Sequence, residues 1–232
     1  MAKSPNPRIL EPQNPRTLFM NSYLIIGCGH FGSRAVSKLL EKDPRARITV
    51  VDQNENHLKK ISRLPVQTIA CDGLPFLEHF FSKGGLVHYI IPAIPLHLVF
   101  ESMLSCLKPF GAERVEIPPL QGLPNPVTGK AGDLYTSLAD FLCPEDCPEP
   151  LHFCTVTGQK RRNPLFKILE DLKGPFASKV IRSHQLGAGL GGYRPKEWID
   201  LTDQIRKQKG SNQLFLISTA CRCHGVTSAL RF

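Results

Sequence analysis

Residues 23–32 run Tyr-Leu-Ile-Ile-Gly-Cys-Gly-His-Phe-Gly, an apolar stretch that breaks straight into Gly-x-Gly-x-x-Gly. Each glycine answers a separate steric demand. Gly27 lets the chain turn sharply off a strand, Gly29 lets backbone approach a pyrophosphate, and Gly32 lets the following helix lie close to that strand. Residues 33–40 supply the helix, with Phe31, Ala35, Leu39 and Leu40 spaced for its buried side. The free N–H groups at its start, together with the helix dipole, favour a phosphate. A second apolar run, Ile48-Thr49-Val50-Val51, ends in Asp52 about 20 residues past the last glycine, the place of the ribose-binding acid in a dinucleotide site. Gln53 and Asn54 follow rather than an arginine, so NAD is favoured over NADP. The expected cofactor-binding residues are Gly27, Cys28, Gly29, His30, Phe31, Gly32 and Asp52.

At 232 residues the chain has room for one large or two small domains. Residues 1–19, with four prolines, read as a disordered or surface-draped lead-in. Residues 20–119 form the NAD(P)-binding unit, 120–150 a Pro/Gly/Cys-rich connector, and 151–232 a basic α/β unit. The last segment holds 14 Lys and Arg against 5 Asp and Glu, which suits an anionic partner. It lacks aromatic–basic interleaving, so nucleic acid is disfavoured. Assembly into a homo-oligomer stays open. The longest apolar stretch, residues 86–107, is interrupted by His88, Pro92, Pro95, His97 and Glu101, which argues against membrane insertion. The N-terminus lacks the apolar core of a signal peptide, so a cytoplasmic location is expected. There, eight cysteines are thiols or metal ligands rather than disulfides.

Strands are expected at residues 22–26, 47–51, 66–70, 86–91 and 113–117, with helices at 31–42, 55–63, 77–82 and 96–107. This alternation means right-handed βαβ crossovers and an α/β fold, a Rossmann-like doubly wound parallel sheet followed by a second α/β half. The motifs at residues 25–32, Val50-Val51-Asp52 and Ala70-Cys71-Asp72-Gly73 resemble the TrkA-N (KTN) nucleotide-binding domain of Trk-type potassium-uptake regulators, within the NAD(P)-binding Rossmann superfamily. The resemblance covers roughly residues 20–119. It implies that Gly27, Gly29 and Gly32 hold pyrophosphate, that Asp52 holds a ribose, and that Asp72 lies near the adenosine.

In the connector, residues 134–142 suit one short helix. Beyond it, strands are expected at 151–156, 179–184 and 213–220, the last being the final strand, with helices at 164–172 and 195–207. Cys143, Cys147 and Cys154 form one thiol group, and Cys221 and Cys223 another. Brought together, such soft ligands suit zinc or an iron–sulfur cluster, although the spacing is not a standard one. Cysteine is also a small apolar residue that is often simply buried, and Cys28, Cys71 and Cys106 are read that way. Gly187, Gly189 and Gly192 repeat Gly-x-Gly-x-x-Gly, which suits a phosphate cradle or a lid. The loops at 27–32, 157–162, 187–192 and 221–225 each follow an expected strand, and strand-end loops of a parallel sheet gather at one cleft. There Lys160, Arg161 and Arg162, with Gly187 and Gly189, would meet an anionic ligand. His184 and His224 are the candidate acid–base groups.

Three functions fit these residues. One is an NAD(P)-dependent oxidoreductase acting on a small anionic substrate. The second is a non-catalytic nucleotide-sensing module of the TrkA-N kind. The third is a metal or iron–sulfur redox protein built on the cysteines. No Ser/His/Asp triad or carboxylate pair marks the chain as an enzyme.

Overall fold

The computed structural model describes residues 21–161 and 163–232. The lead-in at residues 1–19 and Arg162 lie outside them. Strands β1 (Ser22–Ile26), β2 (Arg47–Asp52), β3 (Gln67–Ala70) and β4 (Tyr89–Pro92) form a parallel sheet in the order β3-β2-β1-β4. Leu24, Ile25 and Ile26 of the central strand are fully buried, because helices cover both faces of such a sheet. The crossovers are α1 (His30–Lys42), α2 (Glu55–Lys59) and α3 (Gly73–Ser82), and α4 (Leu98–Leu107) follows β4. Ala35, Val36 and Leu39 of α1 pack with Ile25 and Val50 on one face, and α3 and α4 pack with Leu24, Ile26 and Val51 on the other. Helix α3 begins four residues earlier than the apolar spacing suggests. The Asp72 carboxylate caps it, accepting from Leu74 N at 3.0 Å.

The rest of the chain contributes β5 (Glu113–Val115), β6 (Val127–Thr128), β7 (Leu134–Ser137), α5 (Leu165–Glu170), β8 (Ala177–Arg182), β9 (His184–Gly187), β10 (Leu190–Gly192), α6 (Pro195–Arg206), β11 (Leu214–Ala220) and β12 (His224–Arg231). A second sheet runs β6-β7-β12-β11-β8, with β5 also on β12. The expected fifth parallel strand is therefore an antiparallel partner in this other sheet, with Val115 opposite Ala229. The helix expected over 134–142 is instead β7. Its buried Thr136 and exposed Tyr135 alternate, and Tyr135 pairs with Val226.

The strand expected over 151–156 is absent. Leu151, Phe153 and Val156 are all exposed, so no face of that segment is buried, and only Phe153 bridges, to Lys160. The second glycine motif is a hairpin, β9–β10, rather than a strand–loop–helix cradle. Residues 224–231 form a further strand, β12, beyond the one expected to be last.

The two sheets share a core. Helix α4 lies between them, and one buried cluster runs from Leu24 and Ile90 through Phe100 to Trp198, Phe215 and Leu230. Backbone also ties the halves. Ile90 N donates to Tyr193 O at 2.9 Å, and Tyr193 N returns to Ile90 O at 2.8 Å. A buried polar chain adds to this. His97 Nδ1 lies 2.7 Å from Ser228 Oγ, which donates to Asp133, and Asp133 pairs with Arg114 at 3.1 Å.

Candidate functional site

The first glycine loop leaves β1 at the carboxyl edge of the parallel sheet. Gly27 has φ +99°, and a Cβ there would lie 2.5 Å from Ala93 O. A Cβ on Gly32 would overlap the Gly27 carbonyl. Two of the three glycines are thus fixed by packing. Gly29 differs, since a Cβ there would meet nothing within 4 Å. Gly29 is also the N-cap of α1 and brings no side chain to it. The first-turn amides of α1 have no carbonyl within the helix, so the loop offers backbone donors beside open space, as a pyrophosphate requires.

Asp52 closes the loop from β2. It accepts from Cys28 N at 2.5 Å and Asn54 N at 2.7 Å, and His57 Nδ1 is 3.1 Å away. Burial pushes its carboxyl up, but the Asn54 and Cys28 amides and the His57 ring outweigh burial and hold it below the usual carboxylate range. It is therefore ionised near neutral pH. A carboxylate offers about four acceptor positions, so one remains beyond the three in use for a ribose hydroxyl. His30 and Phe31 are exposed at the start of α1, and Phe31, expected on the buried side, is 63% exposed.

Beyond α1 lies a cavity of about 290 Å³. Cys143, Cys147, Arg161, Cys221, Cys223 and His224 line it, and the β9–β10 turn closes one side. Gly189, at φ +67°, is the tip of that turn. Its N–H donates to Cys147 O at 2.9 Å, which also accepts from Gln185 Nε2 at 3.0 Å. Arg161 Nη1 is buried without a hydrogen-bond partner among the described residues. Glu145, on the cysteine loop, reaches back to α1 and meets Arg34 Nη1 at 2.5 Å and His30 Nε2 at 3.1 Å. Lys38 donates to Ala188 O, and Lys42 to Leu186 O at 2.7 Å.

The thiols fall into two kinds. Burial pushes Cys221 up to about 12 and Cys223 up to about 11, and also raises Cys143. Cys154 moves the other way, to about 7. The polar groups of Thr157, then Val156, and more weakly the Arg161 guanidinium lower it, against a small effect of burial. All eight cysteines are free thiols. Among the described residues, no three Cys, His, Asp or Glu side chains stand close enough to share an ion. The zinc or iron–sulfur expectation has no ligand set there.

Two known families match parts of the chain. Residues 23–74 match the TrkA-N domain, a nucleotide-binding Rossmann module. Residues 96–232 match the AF_1314_C family, described as the C-terminal domain of an uncharacterized protein. The chain belongs to this family. An Archaeoglobus fulgidus protein, described only as uncharacterized, is 30% identical over 225 residues, covering 90% of this chain and 98% of that one. The AF_1314_C match begins at residue 96, just ahead of α4, the helix that lies between the two sheets.

In this family member the structure brings several of the singled-out residues together. Arg161, Gly189, Cys143, Cys147, Cys221, Cys223 and His224 all border the one cavity. Cys154 lies outside its lining. Lys160 and Gly187 lie outside its lining. Burial pushes His224 down, so it is neutral near neutral pH. His184 turns away from the cavity to Glu197, with Nε2 at 3.3 Å from Oε1. Asp72 stands at the end of β3 as a helix cap. Glu145, Arg34 and His57 were not singled out. Glu145 lies 115 positions from His30, and no local pattern marks so distant a pair. Among the described residues, no helix is long and apolar enough to cross a membrane.

Proposed function

We propose that the chain binds a dinucleotide across the carboxyl ends of β1, β2 and β4, with NAD preferred to NADP, and works as an oxidoreductase on a small anionic substrate. The observation that carries the nucleotide site is the contrast within the glycine motif: Gly27 and Gly32 are packed tight, while Gly29 fronts open space. The amides of residues 29–32 would meet the pyrophosphate, and Asp52 a ribose. When bound, a nicotinamide cofactor supplies or accepts a hydride. The chain's own part is to place a substrate beside it. The partnerless Nη1 of Arg161 suits the anionic end of such a substrate, and neutral His224, on the same cavity wall, can hold or accept a proton.

Titration calorimetry with NAD, NADP and ADP tests this. Binding of NAD roughly tenfold tighter than NADP is expected, since a 2′-phosphate would face the ionised Asp52. Asp52→Ala should weaken NAD and narrow that difference. No binding of any of the three overturns the nucleotide site.

A second reading keeps the nucleotide and drops catalysis. The contact of Glu145 with Arg34 and His30 favours it, since it ties the loop around the cavity to the nucleotide-binding helix as a sensor requires. Equal affinity for ADP and NAD, with no turnover of NADH, supports this sensing module over the oxidoreductase.

A further inference from the structure

We infer, resting on the reading that the 290 Å³ cavity receives the substrate, that its ligand is a small free amino acid, with the carboxylate on Arg161 and the ammonium group on Glu149. A cation and a carboxylate line this one cavity, yet Arg161 Nη1 is buried with no hydrogen-bond partner among the described residues, Glu149 included. A buried donor without an acceptor is costly to leave so. Glu149 is held elsewhere on the wall, where Oε1 accepts from Arg222 N. That amide takes one of about four acceptor positions on the carboxylate. Glu145, which also lines the cavity, is engaged outside it by Arg34 and His30. The walls thus offer a zwitterion one group of each sign.

Backbone fixes both groups. Arg161 stands at the end of a tight hairpin in which Phe153 and Lys160 bridge as an antiparallel pair. Arg161 N donates to His152 O at 2.7 Å, and Cys154 N to Gln159 O at 2.9 Å. Glu149 has φ +49°, a left-handed conformation that residues with a side chain seldom adopt. Pro150 after it favours extended backbone instead. Such strain persists where the surroundings enforce it, and it collects at ligand sites.

Size and lining narrow the class further. At about 30 Å³ per water, the cavity has the volume of about ten waters, comparable with leucine or methionine. Besides the charged groups, Cys143, Cys147, Cys221, Cys223, Pro144 and Leu190 form the wall. Cysteine packs as a small apolar residue, so this lining suits an aliphatic or thioether side chain. The wall is close-packed where the β9–β10 turn meets the cysteine loop, since a Cβ on Gly189 would lie 1.6 Å from Glu145 O.

Titration calorimetry on the reduced, full-length protein, with and without NAD, tests this. L-leucine and L-methionine are compared with 4-methylpentanoate and 3-methylbutylamine, each of which keeps one charge of leucine. An amino acid should bind at least about tenfold tighter than either analogue, the worth of one charge-assisted hydrogen bond. Glu149→Gln keeps an oxygen for the Arg222 amide and removes the charge. It should weaken L-leucine about tenfold and leave 4-methylpentanoate unchanged. Arg161→Gln should weaken both, and Arg161→Lys should recover part of the loss, with thermal unfolding reporting the fold of each variant. Failure of both amino acids to bind overturns the inference. So does 4-methylpentanoate binding as tightly as L-leucine, or a Glu149→Gln variant that loses both ligands equally. NAD binding without amino-acid binding overturns this inference alone, and amino-acid binding without NAD binding overturns the nucleotide site alone.

Discussion

Glu145 Oε2 sits 2.5 Å from Arg34 Nη1 and 3.1 Å from His30 Nε2, so a carboxylate from the cysteine loop occupies the guanidinium and the imidazole at the start of α1. The His30 contact and the nearby Arg34 charge hold Glu145 below the usual carboxylate range. A bound pyrophosphate would face that same guanidinium and ring. Glu145→Gln frees them, and nucleotide affinity should rise roughly two- to fivefold, the scale of an exposed ion pair. The gain should shrink at high salt, since the contact is solvent-exposed. Calorimetry at two ionic strengths reads both effects, and an unchanged affinity at low salt would show that the carboxylate and the ligand do not compete.

The glycine loop predicts a dissociation between folding and binding. Gly32→Ala places a methyl group on the Gly27 carbonyl, and α1 must move off β1. A loss of about 1–3 kcal/mol is expected, as for other overpacked sites. Gly29→Ala meets no atom, so stability should stay within about 0.5 kcal/mol of the parent. Its methyl group would stand where the pyrophosphate approaches, and NAD binding should fall at least tenfold. Chemical denaturation and calorimetry on both variants separate the two roles. A stable Gly29→Ala with undiminished NAD affinity would remove the pyrophosphate from this loop.

The glycine loop was legible because its demands are local, a turn, an approach and a contact within six residues. The same motif at 187–192 misled for a related reason. Gly189 does supply a positive φ, but at a hairpin tip, and Gly192 leaves room for Ile90 O, 3.1 Å from where its Cβ would lie. Tight turns and phosphate loops ask for glycine in similar spacing. Strand partners were not legible. β5 looks like the next strand of the parallel sheet by position, yet it pairs with Arg231 and its neighbours at the far end of the chain. Residues 134–142 carry the leucines of a helix, and pairing with β12 and β6 makes 134–137 a strand. The spacing of the cysteines left open whether their two groups meet, and Cys143, Cys147, Cys221 and Cys223 line one cavity. The contact of Glu145 with α1 was not legible, because a single acid in a Pro-rich loop carries no pattern.

Phe215 on β11 is fully buried in the cluster that also holds Leu24, Ile90 and Phe100. Phe215→Ala should cost about 3–5 kcal/mol by the lost burial and the cavity left behind. Because that cluster spans both sheets, the whole chain should lose stability together. The single tryptophan, Trp198, lies in the same cluster. Its fluorescence and the far-ultraviolet circular dichroism should then report one coincident unfolding transition in both parent and variant. Two separated transitions would show that the halves unfold independently.

His97 supplies a pH dependence whose sign is fixed. Its ring is 2% exposed, and burial drives it down to about 3, against the partial opposition of Asp133 and with a smaller push from Arg114. The ring is therefore neutral in the folded protein. Since Ser228 donates to Asp133, Nδ1 carries the proton toward Ser228 Oγ, and Nε2 is left as a buried acceptor without a partner among the described residues. The unfolded chain takes up a proton at this residue below its ordinary value of 6.5, while the folded chain does not until about 3. Stability from His97 is thus complete above 6.5 and declines as pH falls toward 3, by up to about 1.4 kcal/mol per pH unit. His224, also pushed down by burial, contributes with the same sign, so the parent slope alone does not isolate His97. His97→Asn keeps a donor near Ser228 and removes the titration. Its urea-unfolding free energy should fall less steeply than the parent's between pH 6.5 and 5, whatever its stability at pH 8. Parallel slopes in that window would mean that His97 takes up its proton equally in the folded and unfolded chain.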